Sequence, residues 1–235
     1  MRSAVTALIS VLVLAGSAYG GNIALSSLGA TATCGASSVT AGDPSCFLTF
    51  PYPGGTQYVP GNVIDGANDP TNPVETIGNE WVAPGGTGNP FLLVDLPPGG
   101  PFTVDSVSVY GYGSDGDEIG FSVYVGNCSS LDSVATCAGN LETGSEGGTL
   151  IGSDTEIGGS WWEDTFAVST ATPIQDVLYD VTLSNCDGVC ITSTTLNDAY
   201  LNEITVDATP EPATFGMIGA GLLALGFKWR YRKQK

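Results

Sequence analysis

From Ser3 to Phe227 the chain contains no lysine, arginine or histidine, so whatever folds there must do so without an ion pair. All six basic residues lie outside that interval: Arg2 at one end, and Lys228, Arg230, Arg232, Lys233 and Lys235 at the other. All 24 acidic residues lie between them, and the net charge is −18. Self-repulsion at that charge opposes compaction and keeps a protein soluble. Each carboxylate must sit in water, accept hydrogen bonds or meet a bound cation. Screening by salt or divalent cations is therefore expected to raise stability. Nucleic acid and anionic membrane surfaces are excluded as partners, because both are bound through basic side chains.

The same absence narrows the chemistry. A serine or cysteine nucleophile needs a histidine, lysine or equivalent base beside it. Phosphoryl transfer needs cationic stabilisers, and no glycine-rich segment has a phosphate- or dinucleotide-binding pattern. Paired carboxylates of the glycosidase kind remain. Among so many acids, neighbours such as Asp117-Glu118 or Glu163-Asp164 are inevitable and carry little weight. The expectation is a protein that is not an enzyme.

The basic ends read as addresses. Met1-Arg2-Ser3 precedes an apolar run over residues 4–14, followed by the small residues Gly16-Ser17-Ala18 and Ala18-Tyr19-Gly20. That order is expected of a signal peptide, residues 1–20, removed by signal peptidase. At the other end Pro210-Glu211-Pro212 leads into an apolar stretch, residues 215–227, and then the basic cluster. As a helix this stretch rises only ~20 Å against a hydrocarbon core of ~30 Å. The basic cluster would hold its end in the cytoplasm, and the prolines keep the preceding chain extended. Residues 210–235 resemble the PEP-CTERM sorting signal of Gram-negative bacteria. The resemblance implies removal of the tail near Pro210, Glu211 and Pro212 by an exosortase, an integral membrane peptidase. The protein would touch the inner membrane transiently through its C-terminal transmembrane helix, then reach the cell surface or extracellular matrix. It also implies an association with exopolysaccharide or biofilm. A simple membrane-anchored protein is the alternative.

Residues 21–209 suit one domain with a substantial core. Its cysteines, Cys34, Cys46, Cys128, Cys137, Cys186 and Cys190, are expected to form disulfides in an exported protein. Of the possible pairings, the sequence-local set Cys34–Cys46, Cys128–Cys137 and Cys186–Cys190 is preferred, because each pair brackets a turn rich in small polar residues. Short runs of alternating β-branched and aromatic residues predict strands at 91–96, 106–110, 121–125, 177–183 and 203–206. Glycine–proline clusters separate them. No segment before the tail shows convincing helical periodicity. The fold class expected is all-β, an antiparallel sandwich.

Asn22-Ile23-Ala24-Leu25, Asn62-Val63-Ile64-Asp65-Gly66, Asn79-Glu80-Trp81 and the later strands follow an order that resembles the discoidin domain, coagulation factor 5/8 type C. That family is a galactose-binding-like jelly roll. The resemblance implies a structural calcium ion held by Asp65 and Glu203 with loop oxygens from Asn68, Asp69, Thr71 and Thr76. Calcium takes six to eight oxygens at ~2.4 Å. The alternative is that Asp65 only shapes its turn. Trp161, Trp162 and Tyr58 are candidates for stacking on a sugar, although adjacent tryptophans in a strand point to opposite faces, so one packs in the core. Trp81 matches a structural tryptophan of the family. Relatives that bind sugar often use arginine or histidine to hold its hydroxyls, and the domain has neither. Two functions stand: an exported structural or adhesive matrix protein, or a carbohydrate-binding module recognising exopolysaccharide.

Overall fold

The computed structural model describes residues 21–36, 59–66, 81–83, 90–112, 118–157, 161–185 and 199–209. The predicted signal peptide, the Pro-Glu-Pro box and the C-terminal apolar segment lie outside them. Among the described residues the strands are β1 (Gly21–Asn22), β2 (Thr31–Ala36), β3 (Trp81–Ala83), β4 (Pro90–Asp95), β5 (Val104–Tyr112), β6 (Glu118–Gly126), β7 (Thr149–Ile157), β8 (Trp161–Ala167), β9 (Asp176–Asn185) and β10 (Ala199–Ala208). They form two antiparallel five-stranded sheets. One has the order β1-β10-β5-β8, with β3 also on β10; the other has the order β2-β4-β9-β6-β7. The all-β antiparallel sandwich is the architecture the alternation predicts.

Alternation sets the inner faces. Val107 and Val109 of β5, Phe121, Val123 and Val125 of β6, Val177, Tyr179 and Val181 of β9, and Ile204 and Val206 of β10 all join one core with Trp81. Intervening residues face out, as a period of two requires. β4 departs from this: Phe91, Leu92, Leu93 and Val94 are all buried. A strand with apolar residues on both faces needs cover on both, and on the outside that cover is a helix.

The helix, α1 (Val134–Thr143), corrects the expectation of a domain without helix. Val134, Cys137, Ala138 and Leu141 fall on one helical face and pack with Phe91, Leu93 and Leu178 on the outside of the second sheet. Ser133 caps the first turn, accepting from the Thr136 amide at 3.1 Å. Gly144 ends the helix at φ 74°, a conformation glycine adopts without a Cβ clash.

Cys128 and Cys137 form a disulfide with Cα atoms 5.4 Å apart, tying α1 to the end of β6. Cys34 is also disulfide-bonded, to a partner beyond the described residues; Cys46, Cys186 and Cys190 all lie outside them. For the Cys128–Cys137 link, with a sequence separation of 9, loop-closure entropy predicts a stabilisation of roughly 2–3 kcal/mol. The double variant Cys128→Ala/Cys137→Ala is expected to show that loss in urea unfolding. A loss below about 1 kcal/mol would mean that α1 is held by its apolar face alone.

Candidate functional site

The strands give the sandwich two dissimilar poles. At one, β2, β3, β5, β7 and β9 end and β4, β6, β8 and β10 begin. At the other, the two ends of the domain meet: Gly21 pairs with Ala208, and Asn22 with Asp207. The Thr209 amide donates to the Thr103 carbonyl at 3.0 Å. The chain therefore remains hydrogen-bonded to the body up to the residue before Pro210.

Trp161 and Trp162 open β8 at the first pole and separate as strand geometry demands. Trp162 faces inward, is 8% exposed, and stacks on Phe121 with centroids 5.2 Å apart. Its indole lies over Gly111, where any Cβ would collide with it. It is part of the core and cannot stack on a ligand. Trp161 lies on the outer face and is half-buried. Tyr58 is outside the described residues.

The outer face of β5 and β8 carries a hydrogen-bonded group that sequence reasoning missed. Ser108 and Thr165, cross-strand partners, share a hydrogen bond of 2.7 Å between hydroxyls. The Tyr110 side chain shares hydrogen bonds with Thr205, Ser108 and Glu163. Desolvation is the main cause that pushes its phenol pKa up, and the nearby Glu163 charge adds to it. A single tyrosine in an alternating strand reads only as outward-facing, so its partners on two other strands were invisible before folding.

The residues implied for calcium lie on elements that touch. Val63 and Ile64 of the short 3-10 turn Pro60–Ile64 are buried, and Asp65 ends that turn exposed. The turn packs against β10. Glu203 is only 4% exposed and sits where the β10–β5 pairing shifts register, beside buried Asn202. Asn68, Asp69, Thr71 and Thr76 lie outside the described residues. A buried glutamate in a domain without basic side chains suits a bound divalent cation, and the donor set of carboxylate and amide oxygens has the right chemistry.

A second carboxylate group lies in the seam between the sheets. Oxygens of Asp154 and Glu156 on β7 and Asp164 on β8 approach within 4.8 Å of one another. Desolvation first, then the charge of neighbouring carboxylates (Asp164 and Asp154 for Glu156, Asp154 for Asp164), pushes the pKa values of Glu156 and Asp164 up. On the opposite side of the second sheet, Asp180 is 8% exposed, between Phe91 of β4 and Ser122 of β6. Burial, reinforced by the charge of Glu142 in the last turn of α1, pushes its pKa up to about 6.

Among known structures, the chain is similar to chitosan-binding module 1 of a chitosanase/glucanase from Paenibacillus sp. IK-5, at 17% identity and a TM-score of 0.45 over 79% of this chain and 97% of that one. It is also similar to the family 32 CBM from C. perfringens NanJ in complex with galactose, at 14% identity and a TM-score of 0.42 over 80% of this chain and 99% of that one. Allantoicase from Saccharomyces cerevisiae matches at 9% identity and a TM-score of 0.45, over 80% of this chain and 42% of that one. No curated protein sequence matches the chain. Residues 208–233 match the PEP-CTERM protein-sorting motif, so the segment that follows the last strand is a sorting signal.

Proposed function

We propose that this is an exported, exosortase-sorted protein of the cell surface or extracellular matrix, with a structural or adhesive role in exopolysaccharide or biofilm. The observation that carries this reading is the sorting motif at residues 208–233, which begins at Ala208, the last residue of β10. Five residues separate Thr209 from the apolar segment, an extended reach of ~15–20 Å. While the tail is in the bilayer, the pole carrying both domain ends is nearest the membrane and the opposite pole, with Trp161, faces away. Mass spectrometry of the mature protein from its host tests the sorting step. A C-terminus near Pro210-Glu211-Pro212 supports it, and an intact C-terminus through Lys235 sinks it in favour of plain anchoring.

Calcium is the structural ion proposed for Asp65 and Glu203. The support is the burial of Glu203 in a domain with no basic side chain to offset it. Calcium is expected to raise the melting temperature by several degrees, and Glu203→Ala to abolish that response. If chelator leaves melting unchanged in the wild-type chain, this role for calcium is wrong.

A second reading, carbohydrate recognition, is favoured by the outward aromatic and hydroxyl groups of β5 and β8. Glycan-array binding by the full chain, with calcium and with chelator, separates the two. Saturable sugar binding supports recognition. Calcium-dependent self-association without sugar binding supports the structural role.

A further inference from the structure

The outer face of β5 and β8 is built as a platform. Tyr110 is opposite Glu163, and Ser108 is opposite Thr165. Thr205 on β10 is opposite Ser108. The Tyr110 hydroxyl bonds to Ser108 and Thr205, which lie one rung further along the sheet. A phenol that reaches them must lie along the sheet instead of standing off it. Held in this way, the ring offers its face to whatever rests on the strands. Ser108, 6% exposed, anchors the arrangement from below. Trp161 flanks Tyr110 one rung in the other direction, and Glu163 and Thr165 are exposed beside them.

Charge decides which ligand suits the platform. Between Ser3 and Phe227 there is no basic side chain, so a polymer of uronates or sulfates would meet only repulsion. An ammonium group, by contrast, is attracted both to the Glu163 carboxylate and to the face of an aromatic ring. We propose that the β5–β8 face binds an amine-bearing polysaccharide, its sugar rings on Tyr110 and Trp161, its hydroxyls on Thr165, and an ammonium group at Glu163. This rests on the carbohydrate-recognition reading and commits it to one face and one ligand class.

Calorimetric titration of the full chain in detergent, with a soluble glucosamine polymer, the same polymer N-acetylated, and a polyuronate, tests the assignment. The glucosamine polymer is expected to bind more tightly than its N-acetylated form, and any polyuronate binding, through the basic residues 228–235, is expected to be unchanged by Trp161→Ala. Trp161→Ala and Glu163→Gln should each weaken glucosamine-polymer binding roughly five- to tenfold. Thr165→Arg should weaken it at least as much, at an exposed position that leaves the core untouched. Melting temperatures close to wild type would show that each variant is folded. Asp105→Asn removes the same charge at the far end of β5 and should leave affinity unchanged. Equal weakening by Asp105→Asn and Glu163→Gln would reduce the attraction to general charge and overturn the proposal. Glucosamine-polymer binding that survives Trp161→Ala, Glu163→Gln and Thr165→Arg would overturn this face while leaving carbohydrate recognition standing. No binding of any polymer would remove both.

Discussion

Replacing Phe121 with alanine is expected to lower the unfolding free energy by about 3–5 kcal/mol, a large share of the ~5–15 kcal/mol that holds an ordinary domain together. Phe121 is fully buried on β6 and joins the two sheets. It stacks on Trp162 of the facing sheet at 5.2 Å and on Tyr179 of its own sheet at 5.0 Å, and meets Phe166 edge-on at 6.2 Å. Aromatic pairs add to area burial, and truncation would leave a cavity between groups that cannot close on it. The indole is fixed over Gly111, and Phe166 lies against Gly152, positions where any side chain would collide. Urea unfolding with an unchanged slope is the measurement. Phe121→Leu should cost less, because more of the volume is kept. A loss below about 1 kcal/mol for Phe121→Ala would mean that the sheets are not joined through this ring.

The second large effect is a stability that rises on mild acidification. Asp180 has a folded-state pKa raised to about 6, against about 3.9 for an unperturbed aspartate. Below about pH 4 the group is protonated whether the chain is folded or not, and its burial carries no extra charge cost. Above about pH 6 the folded state holds a buried carboxylate facing Glu142 across the end of α1. Stability is therefore lost as pH rises through that window. The difference corresponds to about 3 kcal/mol at most, reduced to about 1–2 kcal/mol by the solvent that reaches the carboxylate. Asp180→Asn should recover that amount at pH 7 and flatten the pH 4–6 slope in thermal melts. Glu142, Glu156 and Asp164 shift in the same direction through desolvation and add to the trend. A variant less stable than wild type at pH 7, or a difference independent of pH, would overturn this account.

Much of the sandwich is legible residue by residue. β4, β5, β6, β9 and β10 all contain runs that alternate or are wholly apolar, because burial on one or two faces leaves that mark directly. β7 does not: Thr149–Ile157 is an edge strand rich in polar residues, and an edge is protected by polarity that hides it from pattern reading. The helix α1 is different. Its apolar spacing, its Ser133 cap and its Gly144 stop are all in the sequence, but its first residues fall between Cys128 and Cys137, a pair that makes the segment read as a stapled turn. For the candidate sites, the adjacent tryptophans foretold one inward and one outward ring. Which ring faced which way depended on the register of β8 against β5.

The sequence by itself determined the sorting motif at residues 208–233 and the absence of cationic side chains from residues 3–227. Signals at chain ends are read in linear order, and a missing cation is missing in any fold. Those conclusions need no three-dimensional information. Only the tertiary structure decided that Trp162 is core, that Tyr110 is pinned by Ser108, Thr205 and Glu163, and that Gly21 and Ala208 meet at one pole. Each of these depends on contacts between residues far apart in the chain, fixed by strand pairing across the sheet. The interval without cations supplied the charge; the fold chose where on its surface that charge sits beside an aromatic ring.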